Sequence, residues 1–380
     1  MRIVVVSTPG VGHLLPLLPL ARAARDRGHE VIIAAGSSLA GHIAAAGFPQ
    51  VVVGPAIIAD VVGGIPGIGA MTGRRRAFTV FREAFCGPIA SDMAAALGGL
   101  FETHRPDLIV HEDLAFGASL AAEHHGIPHA TVQATAWRPN VVDLAAEPLE
   151  RVRAALGMAG DPDPAHLFGS IYFTTRPRSL RDPDAPSPPN MAELQPSADD
   201  RGGAAGEPLG ERTARPRVAA TLGTVNGHEL DVLRQIVAGS IAAGAEVIVA
   251  LGADPSTYGR PPTGVTVRAY LPMSELLPTV DGVAFHGGSG TMLAAAAAGV
   301  PMVIVPFAAD QLDNADRCLA AGIAQVVPLA ELSVAAAQAA VEAVLTDAAY
   351  RQRAEQVAAE IAAMPSADAA VERLEAAAGS

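Results

Sequence analysis

Several short segments of this 380-residue chain place glycines, imidazoles, hydroxyls and carboxylates where they could do chemistry. The most informative is Val283–Gly299, VAFHGGSGTMLAAAAAG, an apolar run that passes through glycines into a helix of small residues. At its centre, His286, Gly287, Gly288, Ser289, Gly290 and Thr291 let the backbone approach a ligand, offer hydroxyls, and aim the free amides of a helix N-terminus at an anion. The other reading is a plain glycine turn around a buried histidine. A companion, Thr221-Leu222-Gly223-Thr224, follows the first strand of the same half and would face the same ligand. Arg268-Ala269-Tyr270-Leu271-Pro272 offers an aromatic face with adjacent backbone groups, as a nucleobase requires, or plain packing. Downstream, Asp310 and Gln311 either hydrogen-bond sugar hydroxyls or cap the helix that starts there.

The first half carries a different set. After the opening strand comes Ser7-Thr8-Pro9-Gly10-Val11-Gly12-His13-Leu14-Leu15-Pro16, in which Gly10 and Gly12 permit a tight turn and Pro16 suits the first turn of a helix. A neutral imidazole at His13, with an ordinary pKa of about 6.5, can take a proton from an acceptor hydroxyl. It can equally cap the helix. Such a base works best when a carboxylate fixes its tautomer, and Leu108-Ile109-Val110-His111-Glu112-Asp113 places two acids just past a buried strand. Either acid can serve, and each can instead be a first-turn charge for the helix near Ala115. Trp137, the only tryptophan, helps line an acceptor site or packs in the core.

Composition removes several alternatives. The chain contains no lysine, which rules out a Walker A loop and a Schiff-base pyridoxal site; any phosphate must be held by amides, hydroxyls, His or Arg. No Asp-x-Asp pair is placed beside the glycine turn, so a metal site is not expected. A net charge of −13 argues against a nucleic-acid partner, and Arg74-Arg75-Arg76 reads as a solvated loop. Cys86 and Cys318 are too few for a disulfide framework and read as small buried residues. The opening Met1-Arg2-Ile3-Val4-Val5-Val6 reads as a strand and not a signal peptide, so a cytoplasmic protein without an integral membrane segment is expected.

The elements that must position these residues alternate. Strands are expected at Ile3–Val6, Val31–Ala35, Val51–Val53, Leu108–Val110 and Ala130–Val132, with helices at Pro16–Arg27, Leu39–Ala46, Ala77–Gly99 and Ala115–His125. From Thr175 to Arg217 the chain turns rich in Pro, Asp and Gly, as linkers are. Alternation then resumes with strands at Val218–Leu222, Val247–Leu251, Val265–Arg268, Val283–His286, Val303–Pro306 and Ala324–Val327. The last helix, Ala367–Ala378, has Ser366 as its N-cap. This predicts an α/β protein of two doubly wound, Rossmann-like domains facing a central cleft, with the C-terminal helix crossing back to the first domain. The expected boundaries are 1–195 plus the helix 366–380, a linker at 196–216, and 217–365.

The chain resembles the family 1 glycosyltransferases of GT-B fold, particularly the bacterial enzymes that decorate antibiotics and other natural products. AYLPMSELLPTVDGVAFHGGSGT and AAGVPMVIVPFAADQLDNA look like the family's donor-binding signature, and GVGHLLPLLPLARAARDRGHEV like its N-terminal opening. The resemblance makes the first domain the acceptor side and the second the nucleotide-sugar side. It implies an inverting, metal-independent transfer of a sugar from a dTDP- or UDP-sugar to a small, hydrophobic natural product, with no cofactor beyond that co-substrate. His13 would be the base, assisted by Glu112 or Asp113. Gly12, Thr224, Tyr270, Leu271, His286, Gly287, Gly288, Ser289, Gly290, Thr291, Asp310 and Gln311 would bind the donor, and Phe81, Phe85 and Trp137 the acceptor. Phe285 stands where many relatives carry a second histidine. A sugar-nucleotide 2-epimerase or hydrolase, and a non-catalytic glycosyltransferase partner, are the competing readings; a homodimer is left open.

Overall fold

The structure is a computed structural model in which residues 1–136, 141–161, 164–188, 190–197, 212–223 and 229–378 are described. It divides into two compact units. One comprises Met1–Arg176, Asp182–Asp199 and Met364–Ser380, the other Pro177–Arg181 and Asp200–Ala363.

The first unit is a parallel sheet of β1 (Arg2–Ser7), β2 (Glu30–Ala35), β3 (Gln50–Val52), β4 (Leu108–Glu112), β5 (His129–Val132), β6 (Ile171–Thr174) and β7 (Met191–Glu193), in the order β3-β2-β1-β4-β5-β6-β7. Successive residues of a strand face opposite sides, and β1 is apolar on both. Ile3 and Val5 enter a cluster with Leu17, Leu20 and Ile33, whereas Val4 and Val6 enter another with Met93, Leu97 and Ile109. Strand order reverses between β1 and β4, where Val6 pairs with His111. The chain leaving β1 therefore runs beside the end of β4, the position at which open α/β sheets bind ligands.

The last helix, Ala367–Ala378, belongs to this unit. Ala370, Val371 and Leu374 join the first cluster, and Arg27 reaches Glu372 and Glu375 at its edge. Burial of a Val or Leu contributes about 1.5–3 kcal/mol, more than the ~0–1 kcal/mol of an exposed ion pair. The apolar stripe therefore holds the helix in place.

The second unit repeats the plan with β8 (Arg217–Thr221), β9 (Glu246–Ala250), β10 (Val265–Arg268), β11 (Gly282–Phe285), β12 (Met302–Ile304) and β13 (Ala324–Val326), in the order β10-β9-β8-β11-β12-β13. Its reversal falls between β8 and β11, where Phe285 pairs with Thr221.

Sequence and structure differ in several places. The helix expected at Ala77–Gly99 runs from Gly73 to His104 and widens to a π stretch over Phe81–Ile89, because Pro88 has no amide to give and Gly87 leaves the helical region. Arg74–Arg76 lie in its first turn and not in a loop. Helix Val141–Ala155 and strand β6 were not anticipated. Nor was β7, which lies within the Pro- and Asp-rich stretch and is too short at 3 residues to register as an alternating pattern.

Candidate active site

In the first unit the site is built where β1 and β4 end. The chain is helical from Val11, not from Pro16; Gly10 stands at the N-cap in an extended conformation, and Pro16 is accommodated in the tight turn Leu15–Leu17 that follows. His13 thus sits within a single helical turn. Gly10 leaves room for it: a Cβ there would lie 2.7 Å from His13 Cδ2.

His13 Nδ1 is 3.2 Å from Glu112 Oε2. Glu112 is fully buried, and three further donors fix it. Thr8 Oγ1 and Thr8 N donate to Oε1 at 2.7 and 3.1 Å, and Leu114 N donates to Oε2 at 2.7 Å. Burial alone would raise this carboxyl, but the charge and hydrogen bond of His13, with the bonds from Thr8 and Leu114, hold it below the usual carboxylate range. Asp113 does not share the role. It accepts from Ala134 N at 3.1 Å and Thr135 Oγ1 at 3.1 Å, and burial together with the Glu112 charge pushes it up to about 7. Consecutive residues at a strand end point apart, so only one of the pair can face His13. Neither acid caps the next helix, whose N-cap is Ala115 without a side-chain bond.

The π stretch brings Phe85 to His13, with ring centroids 5.8 Å apart and planes tilted by 31°. Ile58, Val61, Val62 and Leu114 pack against the cluster that Phe85 forms with Ala84 and Ile89. Phe81 packs edge-on against Phe116 in the core, so Phe85 and not Phe81 stands at the imidazole. Gly12 is exposed on the same helical turn. Trp137 lies outside the described residues.

In the second unit the corresponding switch point carries the glycine turn. Gly287 has φ +92°, a left-handed conformation that glycine alone takes freely. His286 is walled by two glycines: a Cβ on Gly223 would lie 2.8 Å from its Cε1, and one on Gly288 2.5 Å from its Nε2. Among the described residues its buried Nδ1 has no hydrogen-bond partner, and burial lowers the imidazole to about 4 against the opposing charge of Asp310, so the ring is neutral at ordinary pH. Ser289 begins the helix Ser289–Ala297, with Gly290 exposed and Thr291 half-buried in its first turn.

Asp310 does not cap its own helix; Oδ2 accepts from Ser289 Oγ at 2.6 Å. Gln311 Oε1 accepts from Phe307 N and Ala308 N at 2.8 and 3.1 Å, fixing the loop after β12. Tyr270 is 50% exposed at the end of β10, whereas the Leu271 side chain is 3% exposed and offers a ligand only its backbone. Thr224 lies outside the described residues.

Two residues not anticipated as site residues hold these groups. Thr8 follows β1 at the switch point, a position that was itself a signal. Asn314, four residues after Asp310 and so on the same helical face, is fully buried and donates to Gly287 O, Ser289 Oγ and Asp310 Oδ2.

Comparison with known proteins bears on both units. Residues 22–134 match the family description "Erythromycin biosynthesis protein CIII-like, N-terminal domain", and residues 234–377 its C-terminal domain. The chain is 33% identical to elloramycin glycosyltransferase ElmGT of Streptomyces olivaceus over 96% of its length and 94% of the relative's. It is 30% identical to L-demethylnoviosyl transferase of Streptomyces niveus, covering 96% and 95% of the two chains. Among solved structures it is similar to the glycosyltransferase SsfS6 of Streptomyces sp. SF2575 complexed with thymidine diphosphate, with TM-score 0.79, 26% identity and 99% of each chain covered. The chain therefore belongs to the family 1 glycosyltransferases of GT-B fold, among the bacterial enzymes of natural-product biosynthesis, and is a glycosyltransferase that takes a nucleotide sugar as co-substrate.

Proposed function

We propose that the chain catalyses an inverting, metal-independent transfer of a sugar from a dTDP- or UDP-sugar to a hydroxyl of a small, hydrophobic natural product. The observation that carries this reading is the His13–Glu112 contact of 3.2 Å. With Glu112 ionised and accepting from Nδ1–H, the lone pair of His13 lies on Nε2. That nitrogen removes the acceptor's hydroxyl proton, the acceptor oxygen bonds to the anomeric carbon, and the bond from that carbon to the diphosphate breaks on the opposite face, inverting the centre. Glu112 then stabilises the imidazolium.

The departing diphosphate is met by the amides at the start of Ser289–Ala297 and by His286, whose buried Nδ1, without a partner among the described residues, marks a polar group that a ligand would satisfy. Preorganised donors of this type stabilise leaving-group charge without a metal. Among the described residues, no group of three or more His, Cys, Asp or Glu is placed to hold one. Tyr270 stacks on the base, Leu271 meets it through its backbone, and Gln311 Nε2 and Asp310 address the sugar. Thymidine diphosphate in the SsfS6 complex supports dTDP, and the apolar residues around Phe85 support a hydrophobic acceptor. Both features favour transfer over 2-epimerisation, hydrolysis or a non-catalytic partner role.

The test has two arms. Titration with TDP and UDP separately is expected to give saturable binding of at least one, and His13→Ala is expected to lose transfer to an oxygen acceptor while keeping that binding. Unchanged turnover in His13→Ala removes His13 from the mechanism; failure of both nucleotides to bind removes the donor site.

A further inference from the structure

Ser289, Asp310 and Asn314 form a closed triangle on the donor turn. Ser289 Oγ donates to Asp310 Oδ2 at 2.6 Å, and Asn314 Nδ2 lies 3.2 Å from the same oxygen, 3.1 Å from Ser289 Oγ and 2.7 Å from Gly287 O. Ala309, with φ +56°, turns the chain immediately before Asp310, a conformation that an alanine keeps only when its surroundings hold it. Two consequences follow for the helix Ser289–Ala297. Its positive end already faces a carboxylate, and the single proton of the Ser289 hydroxyl is committed to that carboxylate. The neighbouring His286 brings no compensating charge, because burial keeps it neutral.

Resting on the donor-site reading above, we propose that Asp310 lets the enzyme tell an intact sugar nucleotide from the nucleoside diphosphate product. When the sugar is present, its hydroxyls donate to Asp310 and free the Ser289 hydroxyl for the diphosphate. Once the sugar has left, the carboxylate regains Ser289 and repels the diphosphate, so the same residue that holds the donor expels the product.

The experiment is calorimetric titration of TDP and UDP into the full chain at low and high salt, with wild type, Asp310→Asn, Asp310→Ala and Ser289→Ala compared. Removal of the charge is expected to tighten nucleotide binding about tenfold at low salt, with the gain shrinking as ionic strength rises. Ser289→Ala, which keeps the charge, is expected to give no tightening. Asp310→Ala repeats the charge removal without an amide, so a fold defect peculiar to either variant is exposed by the other. Wild-type binding with no tightening in either Asp310 variant overturns the proposal and leaves the donor site intact. Binding of neither nucleotide to the wild type overturns both.

Discussion

His13 Nδ1, in the helical turn that follows β1, and Glu112 Oε2, at the end of the adjacent parallel strand β4, stand 3.2 Å apart, and the other bonds to the Glu112 carboxylate come from Thr8 and Leu114. Glu112→Gln replaces one acceptor oxygen by an NH2 group that cannot serve Thr8, Leu114 and His13 together. Turnover is expected to fall about 10²- to 10⁴-fold, as when the orienting acid of a histidine base is neutralised. Nucleotide affinity should be unchanged. Steady-state kinetics beside a nucleotide titration checks this, and a fall of less than threefold would falsify the positioning role.

Asp113 gives a pH dependence of opposite sense to that of a carboxyl whose pKa is lowered on folding. Its folded value of about 7 lies above the ordinary aspartate value of 3.8, so the native state binds the proton more tightly than the unfolded chain. The stability this contributes is complete below about pH 4 and is lost as pH rises to about 7. In Asp113→Asn the difference in melting temperature between pH 5 and pH 8 should narrow relative to wild type. Thermal melts at the two pH values decide it; an equal difference in both proteins would refute the assignment.

His111 and His129 are stacked in the core, with His111 Nε2 3.0 Å from His129 Nδ1. Burial lowers both imidazoles, His129 to about 3 with the neighbouring His111 adding to the effect. A depressed histidine contributes stability above its unfolded value of about 6.5 and loses it as pH falls toward the folded value. Acidification from about pH 6.5 should therefore destabilise the first unit, and His129→Asn should flatten that limb of a stability-against-pH curve. A limb of unchanged slope would show that this pair does not drive acid unfolding.

Gly288 has φ −64°, which any residue adopts, yet an added Cβ would lie 2.5 Å from His286 Nε2. Gly288→Ala is thus a steric test of the imidazole's place and not of backbone strain. Nucleotide affinity is expected to weaken about tenfold, a loss of about 1.4 kcal/mol, with the melting temperature moved by a few degrees at most. If His286 is a ligand contact, Gly288→Ala and His286→Ala combined should be no worse than His286→Ala alone; additive losses would argue against it.

The sequence by itself determined the strand and helix alternation, the absence of lysine from any anion site, and the two loops around His13 and His286. Unbroken apolar runs, glycine turns and small-residue helices are local signals, and all eleven expected strands are present within two residues of their expected ends. Only the tertiary structure decided which acid contacts His13, because Glu112 and Asp113 are neighbours at the end of β4 and face different sides. It also decided that Phe85 and not Phe81 reaches the imidazole, since a π stretch shifts the helical register that a sequence pattern assumes. Thr8, Asn314 and the Ser289–Asp310 contact emerged in the same way. Each is a hydrogen bond between residues distant in sequence or across a turn, and its existence depends on strand order and register, which no local pattern of residues encodes.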